Sequence, residues 1–424
     1  MLIAGETSGD LLAAELVGAL KAEFANAAHA RLSTPQFFGA GGPGMAAAGV
    51  ELSFDMTEFA VVGLVEVLKN YGKFKRLFDA LLQLAIKRRP QAIICVDFSG
   101  FNRRFAAAIR RHERRHPELN WHPKIIQYVS PQVWASRPKR AEKMARDIDL
   151  LLAILPFEKE WYAKRVPGLR VEFVGHPIVD RHAQAQRQIQ AQERTTLSSG
   201  EGPDAISAVV LGPRVASNSQ DSFPSVLLLP GSRVGELRRH LPVMLEALEM
   251  ILSSQPNLEM RMVLPSKHLA ELARSFSAPA GLHVQVGGLP EALATATVAI
   301  ASTGTVTLEC AYFRVPTVAI YKTSWSTYWL GRSLIQVRYL AMPNLLAQET
   351  LFPEFIQHAA TAQNIAHAAL ELVKDPDRRR QIEGKLASVT RPLGQPGANT
   401  RAARAIIQLL SSKSGPNLRS AAVG

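Results

Sequence analysis

Two apolar runs in the second half of the chain each stop at a glycine and restart as a helix-like pattern. They read Leu-Leu-Leu-Pro-Gly-Ser-Arg at 227–233 and Ala-Ser-Thr-Gly-Thr-Val-Thr-Leu-Glu at 301–309. A strand that ends this way aims unpaired backbone N–H groups at one spot, and the dipole of the following helix makes that spot attractive to phosphate. Arg233 stands beside the first turn, and Glu309 lies in the helix after the second. A turn that holds a diphosphate, with a carboxylate further along to grip sugar hydroxyls, predicts a nucleotide-sugar site.

The first half carries a different set of groups. Ala-Gly-Glu-Thr-Ser-Gly-Asp (4–10) closes a first strand and opens a first helix. Gly5 and Gly9 permit close approach of backbone to a ligand, and Thr7 or Ser8 could cap the helix; a plain βα turn is the alternative. The glycine-rich stretch 39–44 follows the second strand and predicts a backbone that must hug something. A buried run over 91–97 ends on Asp97, where a carboxylate faces the ligand crevice and could take a proton from a hydroxyl nucleophile. Capping of the next helix by Asp97 or Asn102 is the simpler reading. Over 127–139, a Ser-Pro turn at Ser130 leads to Trp134, Arg137 and Lys139, a wall suited to a sugar and an anion, although a lone tryptophan is more often packing. His176 reads as a hinge residue and a spare proton carrier.

These residues need a scaffold, and the chain alternates short β-type runs with helical patterns almost throughout. Strands are predicted at 1–4, 36–40, 91–97, 124–129, 149–154 and 170–174, with helices at 8–25, 64–89, 101–115, 138–147 and 156–165. The second half repeats the rhythm, with strands near 225–230, 259–264, 282–286, 298–301 and 316–320. Such alternation implies parallel sheets covered by helices on both faces. At 424 residues the chain should form two domains. The expected boundaries are 1–181 for a first Rossmann-like domain, 182–224 for a Ser/Gly/Pro-rich linker and 225–395 for a second. A terminal helix and tail over 396–424 would pack back on an N-terminal domain.

A net charge of +13 favours anionic partners. The arginine runs lack a nucleic-acid-binding module or interleaved aromatics, so no nucleic acid is expected. The two cysteines, Cys95 and Cys310, sit in apolar surroundings without metal-ligand spacing, which fits a reducing cytoplasm. No signal peptide is expected at the start, and the uncharged stretch from Ala292 to Leu308 is too short and polar to span a bilayer. The helix at 64–89 reads as core-facing, with a membrane-facing surface as the alternative, and Trp325, Tyr328 and Trp329 form a second ambiguous cluster.

Taken together, the segments resemble the lipid-A-disaccharide synthases, inverting glycosyltransferases of lipopolysaccharide biosynthesis in Gram-negative bacteria. The resemblance rests on the 4–10 segment, Ala-Val-Val-Gly-Leu-Val-Glu-Val-Leu (60–68), Val-Asp-Phe-Ser-Gly-Phe-Asn (96–102) and Tyr-Val-Ser-Pro-Gln-Val-Trp-Ala (128–135). It continues through Leu-Pro-Phe-Glu (155–158), Val-Gly-His-Pro (174–177), Leu-Leu-Pro-Gly-Ser-Arg (228–233), Ser-Thr-Gly-Thr-Val-Thr-Leu-Glu-Cys (302–310) and Met-Pro-Asn-Leu-Leu-Ala (342–347). It implies a glycosyltransferase B fold, two Rossmann-like α/β domains facing a cleft. It implies transfer of diacylglucosamine from UDP-2,3-diacylglucosamine to 2,3-diacylglucosamine 1-phosphate, with no metal and no cofactor. Asp97 matches the family's general base and Glu6 a nearby acid. Arg233, Glu309 and Asn344 match positions that hold UDP, and Gly231, Ser232, Ser302, Thr303, Gly304 and Thr305 complete that site from the two turns. Gly5, Ser8, Gly9, Asn102, Ser130, Trp134 and Arg137 are the expected acceptor and sugar contacts. The resemblance further implies a cytoplasmic enzyme in peripheral contact with the inner membrane, and leaves a homodimer open.

Three departures from the family pattern stand out: Gly100 replaces a second acid after the catalytic strand, Ser136 replaces a tryptophan, and the first strand is short. Three other readings compete: another nucleotide-sugar enzyme such as a hexosamine epimerase or the glycosyltransferase of peptidoglycan assembly, a basic nucleic-acid-binding protein, and a catalytically dead lipid-binding relative, against which Asp97, Arg233 and Glu309 argue.

Overall fold

The computed structural model describes residues 1–26, 35–56, 71–183, 223–324 and 337–412. The chain divides into two compact units, one running to Asp180 and resuming from Gly394, the other spanning Arg181–Leu393. The interior of the predicted linker, 184–222, lies outside the described residues, as do 57–70 and the aromatic cluster of Trp325, Tyr328 and Trp329.

The first unit is built on strands β1 (Leu2–Ala4), β2 (Phe38–Gly41), β3 (Glu51–Asp55), β4 (Ala92–Val96), β5 (Lys124–Tyr128), β6 (Leu150–Ala153) and β7 (Val171–Phe173). They form one sheet in the order β3-β2-β1-β4-β5-β6-β7, every pair parallel. Helices α1 (Thr7–Ala25), α2 (Tyr71–Arg88), α3 (Ser99–Arg115), α4 (Arg140–Asp147) and α5 (Glu158–Arg165) make the crossovers. In α2, Leu77, Leu81 and Ala85 recur every four residues and enter the same core as Ile3, Ile93 and Cys95, so the described part of this helix faces protein.

The C-terminal helix Ala398–Ser411 packs on α1. Its N-terminus is capped from far away in sequence. Asp180 accepts the backbone N–H groups of Gly397, Ala398 (3.1 Å) and Asn399 (3.0 Å), satisfying donors that a helix start leaves orphaned.

The second unit repeats the plan with β8 (Ser225–Leu229), β9 (Glu259–Leu264), β10 (His283–Val286), β11 (Val298–Ser302), β12 (Thr317–Tyr321) and β13 (Glu354–Ile356). The order is β10-β9-β8-β11-β12-β13, again all parallel. Alternate strand residues feed two cores. Val226, Leu228, Val298 and Ile300 pack on one face, Leu227, Leu229, Ala299 and Ala301 on the other. This is the two-sided burial that parallel strands require. Helices α6 (Val234–Ser254) and α7 (Thr305–Tyr312) leave from the ends of β8 and β11.

Strands β3 and β13 were not predicted. Both are sheet edges whose residues are only partly buried, so neither carries the continuous apolar run that marks a central strand.

Candidate active site

In each sheet the strand order reverses once, between β1 and β4 in the first unit and between β8 and β11 in the second. Ligands of open parallel sheets bind beyond the carboxyl ends of the strands at that reversal. The register pairs Ala4 with Val96 and Leu229 with Ala301. Glu6 and Asp97 therefore leave adjacent strands at one reversal. The Pro-Gly-Ser-Arg and Ser-Thr-Gly-Thr turns leave adjacent strands at the other.

Asp97 and Phe98 follow β4 with φ of 48° and 42°, two successive left-handed residues that are not glycine. Such backbone costs about 1–3 kcal/mol per residue and persists only when the surroundings enforce it. Here they do. The Asp97 N–H donates to Tyr128 O at 2.9 Å, and the Asp97 carbonyl accepts from Asn102 Nδ2 at 2.9 Å and Gln127 Nε2 at 3.2 Å. Gln127, buried on β5, also donates to Tyr128 O and Val129 O. Asn102 is fully buried inside α3 with its amide turned back on the strand end, so it positions Asp97 from beneath. The N-cap position of α3 is held by Phe98, not by Asp97 or Asn102.

The 4–10 loop lies against this corner. A Cβ on Gly9 would sit 3.8 Å from Asp97 Cβ, and one on Gly5 would fall 2.2 Å from the Phe98 ring. Gly5 thus makes room for Phe98. Glu6 is the extended N-cap residue of α1, while Thr7 and Ser8 are its first helical residues and exposed; the expected capping by Thr7 or Ser8 is not what forms. The glycine-rich 39–44 loop hugs a carboxylate of the protein itself. Buried Asp10 accepts from Gly42 N (2.7 Å), Gly44 N (2.8 Å) and Met45 N (3.0 Å).

Of the 127–139 wall, Ser130 is buried and bonded to Tyr162 Oη at 3.0 Å, and Trp134 donates its indole N–H to Glu158 Oε1 at 3.1 Å. Glu158 also accepts from Leu155 N at 3.1 Å. Burial pushes its carboxyl up to about 7. The indole N–H is therefore committed to an internal acid, while the Trp134 ring and Arg137 remain half-exposed. His176 accepts from Ile178 N at 3.1 Å and starts the helical residues 177–183.

In the second unit Gly231 has φ 124°, and a Cβ there would meet Glu236 Oε2 at 2.6 Å. Glu236, on the first turn of α6, accepts from Ser232 N at 3.1 Å and lies 3.6 Å from Arg233 Nη1. An acid thus sits at the very turn read as a phosphate cradle. His240 ties this turn to β12: Nδ1 donates to Pro230 O at 2.9 Å and Nε2 accepts from Lys322 N at 3.0 Å. Accepting at Nε2 needs the neutral ring, and burial lowers its basicity.

Ser302, the last residue of β11, is buried, and Thr303 bonds Ile320 O through both its N–H (2.8 Å) and Oγ1 (3.1 Å). Gly304 and Thr305 are exposed at the start of α7, and nothing lies within 4 Å of a Cβ on Gly304. Among the described residues no acceptor meets the N–H groups of Gly304, Thr305 or Val306. The two turns therefore differ, one filled by Glu236 and one open. Glu309, on α7, has His182 Nε2 3.6 Å from its Oε2. His182 is buried against Tyr312 and Phe313, with neither ring nitrogen hydrogen-bonded. Asn344 is fully buried. Its Nδ2 donates to Phe352 O and Glu354 Oε1, and its Oδ1 accepts from Leu351 N and Phe352 N. Any part it has in nucleotide binding is indirect, through the 351–354 backbone it clamps.

Gln127, Glu158, His182, Glu236 and His240 escaped sequence reasoning as site residues. Each acts through a partner distant in sequence or in an ordinary helix position, with only Gln127 and Glu158 inside segments already singled out for chemistry. Burial holds the Cys95 and Cys310 thiols up at about 12, so both stay protonated. Among the described residues no group of three His, Cys, Asp or Glu could hold a metal ion, and no helix is long and apolar enough to cross a membrane.

The fold is that of glycosyltransferase B enzymes and their epimerase relatives. A UDP-GlcNAc 2-epimerase from Neisseria meningitidis, solved bound to UDP-GlcNAc, matches 96% of this chain and 98% of its own with a TM-score of 0.56 at 10% identity. The calicheamicin glycosyltransferase matches 96% of each chain with a TM-score of 0.53 at 13% identity. The particular family follows from sequence. The family model for lipid-A-disaccharide synthetase matches residues 1–217 and 214–408. The lipid-A-disaccharide synthases of Myxococcus xanthus and Geobacter metallireducens are 34% and 35% identical to this chain, over 97% of both partners in each case. The chain belongs to the lipid-A-disaccharide synthase family, glycosyltransferases of lipid A biosynthesis.

Proposed function

We propose that this chain condenses UDP-2,3-diacylglucosamine with 2,3-diacylglucosamine 1-phosphate, giving the β-1,6-linked disaccharide 1-phosphate and UDP. The observation that carries the reading is the placement of Asp97 and Glu6 at the strand reversal of one sheet and of both glycine turns at the reversal of the other. The 6-hydroxyl oxygen of the acceptor attacks the donor anomeric carbon, the bond to the diphosphate breaks with its electron pair going to UDP, and the configuration inverts. Asp97 takes the hydroxyl proton. Glu6 lies beside it as a second acid.

The second unit holds UDP. The open N–H groups at Gly304, Thr305 and Val306 donate to diphosphate oxygens, with Ser302 and Thr303 fixing that turn. Gly231, Ser232 and Arg233 supply the other edge, and Glu309 binds sugar hydroxyls. General base catalysis and preorganised charge stabilisation each contribute on the order of 10²-fold in rate. On the acceptor side, Gly5, Ser8 and Gly9 line the Asp97 corner, with Trp134 and Arg137 further out and Asn102 and Ser130 acting from below. The reaction proceeds without metal or cofactor on the cytoplasmic face of the inner membrane, with the acyl chains reached by peripheral contact. UDP release from the acylated donor, measured with and without the acylated acceptor, tests this reading. Acceptor-dependent release supports it, and turnover of UDP-N-acetylglucosamine in its place favours an epimerase or peptidoglycan-type enzyme.

A further inference from the structure

Helices α3 and α4 of the first unit pack side by side. Arg103 and Arg104 lie on the second turn of α3, a helix that opens two residues after Asp97, and Arg140 opens α4. Arg137 follows the short helix Val133–Ser136. Arg104 is exposed and the other three are half-exposed. The charges converge: burial and then Arg137, Arg103 and Arg104 hold Arg140 below its ordinary basicity, with no acid offsetting them. No ion pair joins any of the four to a carboxylate among the described residues. Asp147 senses Arg103, but more weakly than it senses Arg114, Arg146 and Arg110.

The contrast with Arg110, also on α3, is informative. Arg110 is buried and fully employed, bonded to Glu113, Asp149, Pro123 O and Asp147 O. Where this unit uses an arginine as structure, it supplies partners. Four clustered guanidinium groups without them repel one another, and an incoming dianion relieves that repulsion. Guanidinium forks match phosphate oxygens two at a time. The cluster also stands at the carboxyl-end side of the sheet, where Asp97 leaves it.

We propose that Arg103, Arg104, Arg137 and Arg140 form a phosphomonoester-binding cluster that takes the 1-phosphate of the acceptor while its 6-hydroxyl reaches Asp97. This rests on the acceptor assignment made above. The test compares the full-length wild type with the double variants Arg103→Gln/Arg104→Gln and Arg137→Gln/Arg140→Gln. Each is assayed in neutral detergent micelles with 2,3-diacylglucosamine 1-phosphate and with its dephosphorylated form. Each double variant should raise KM for the phosphorylated acceptor by about tenfold or more, since a charge-assisted bond typically carries at least that factor. UDP affinity should stay the same in both, and kcat/KM on the dephosphorylated acceptor should stay the same in Arg103→Gln/Arg104→Gln. An unchanged KM, or an equal loss on both acceptors, overturns the proposal. So does a defect confined to vesicles of anionic phospholipid, which would make the cluster a membrane contact. Binding of glucosamine 1-phosphate against glucosamine, followed by NMR, decides the cluster even if the wild type shows no transfer, which would sink the acceptor assignment alone. Should Arg137→Gln/Arg140→Gln fail to fold, the pair on the outer turn of α3 carries the test.

Discussion

The buried side-chain amide of Asn102 donates to the main-chain carbonyl of Asp97 at 2.9 Å and to that of Val96 at 3.3 Å. A residue one helical turn beyond the strand thus reaches back and fixes the left-handed backbone that presents the proposed base. Replacing Asn102 by alanine should lower kcat roughly 10- to 100-fold, because small misplacements of a catalytic group are costly. UDP affinity should be unchanged, since the proposed nucleotide site lies in the other unit. Steady-state kinetics with calorimetry of UDP binding checks both; a normal kcat would remove Asn102 from this role.

Two glycines next to this corner should respond oppositely to alanine. At Gly5 the new Cβ would fall 2.2 Å from the Phe98 ring, whereas at Gly100 it meets nothing within 4 Å. Gly5→Ala should destabilise the first unit by about 1–3 kcal/mol through overpacking and lower turnover with it. Gly100→Ala, in the first turn of a helix, should be neutral or stabilise by up to about 1 kcal/mol. Urea unfolding of the two variants separates these outcomes.

Glu158 makes the first unit sensitive to pH in an unusual direction. Burial raises its carboxyl from 4.5 to about 7, so the unfolded chain releases this proton well before the folded one. Stability from this group is fullest below pH 4.5 and is lost as pH rises towards 7. The loss should approach about 3 kcal/mol. The difference in unfolding free energy between wild type and Glu158→Gln, measured at about pH 5, 6 and 7, should follow that slope. A difference independent of pH would contradict it.

His240 acts in the second unit with the opposite sign. Its folded-state basicity is lowered by burial, and its ring accepts the Lys322 N–H at 3.0 Å. Stability is fully present above the ordinary value of 6.5 and falls as pH drops below it, levelling off beneath the lowered folded value. His240→Ala should be less stable at neutral pH and lack this acid-side loss. Hydrogen exchange in β12 at about pH 7 and 5 reads it.

The α/β alternation, most central strands and both glycine turns were legible in the sequence because a buried parallel strand is a short apolar run and its turn needs glycine. Edge strands β3 and β13 were not, being half-exposed. The glycines of 39–44 were legible as a tight wrap, but their partner Asp10 was not. Pairings across long separations leave no local trace. Asp180 capping the C-terminal helix, Tyr128 Oη donating to Asn399 at 2.8 Å and His182 beside Glu309 are three such cases. Asn344 shows the converse, a motif residue whose side chain is spent on its own loop.

The most direct measurement is single-turnover UDP release from UDP-2,3-diacylglucosamine in the presence of 2,3-diacylglucosamine 1-phosphate, for wild type and Asp97→Asn, with UDP binding measured on the same preparations. The wild type should release UDP only with acceptor present. Asp97→Asn should bind UDP as tightly yet lose on the order of 10²-fold or more in rate. A folded Asp97→Asn variant that transfers at close to the wild-type rate would contradict the assignment of the base.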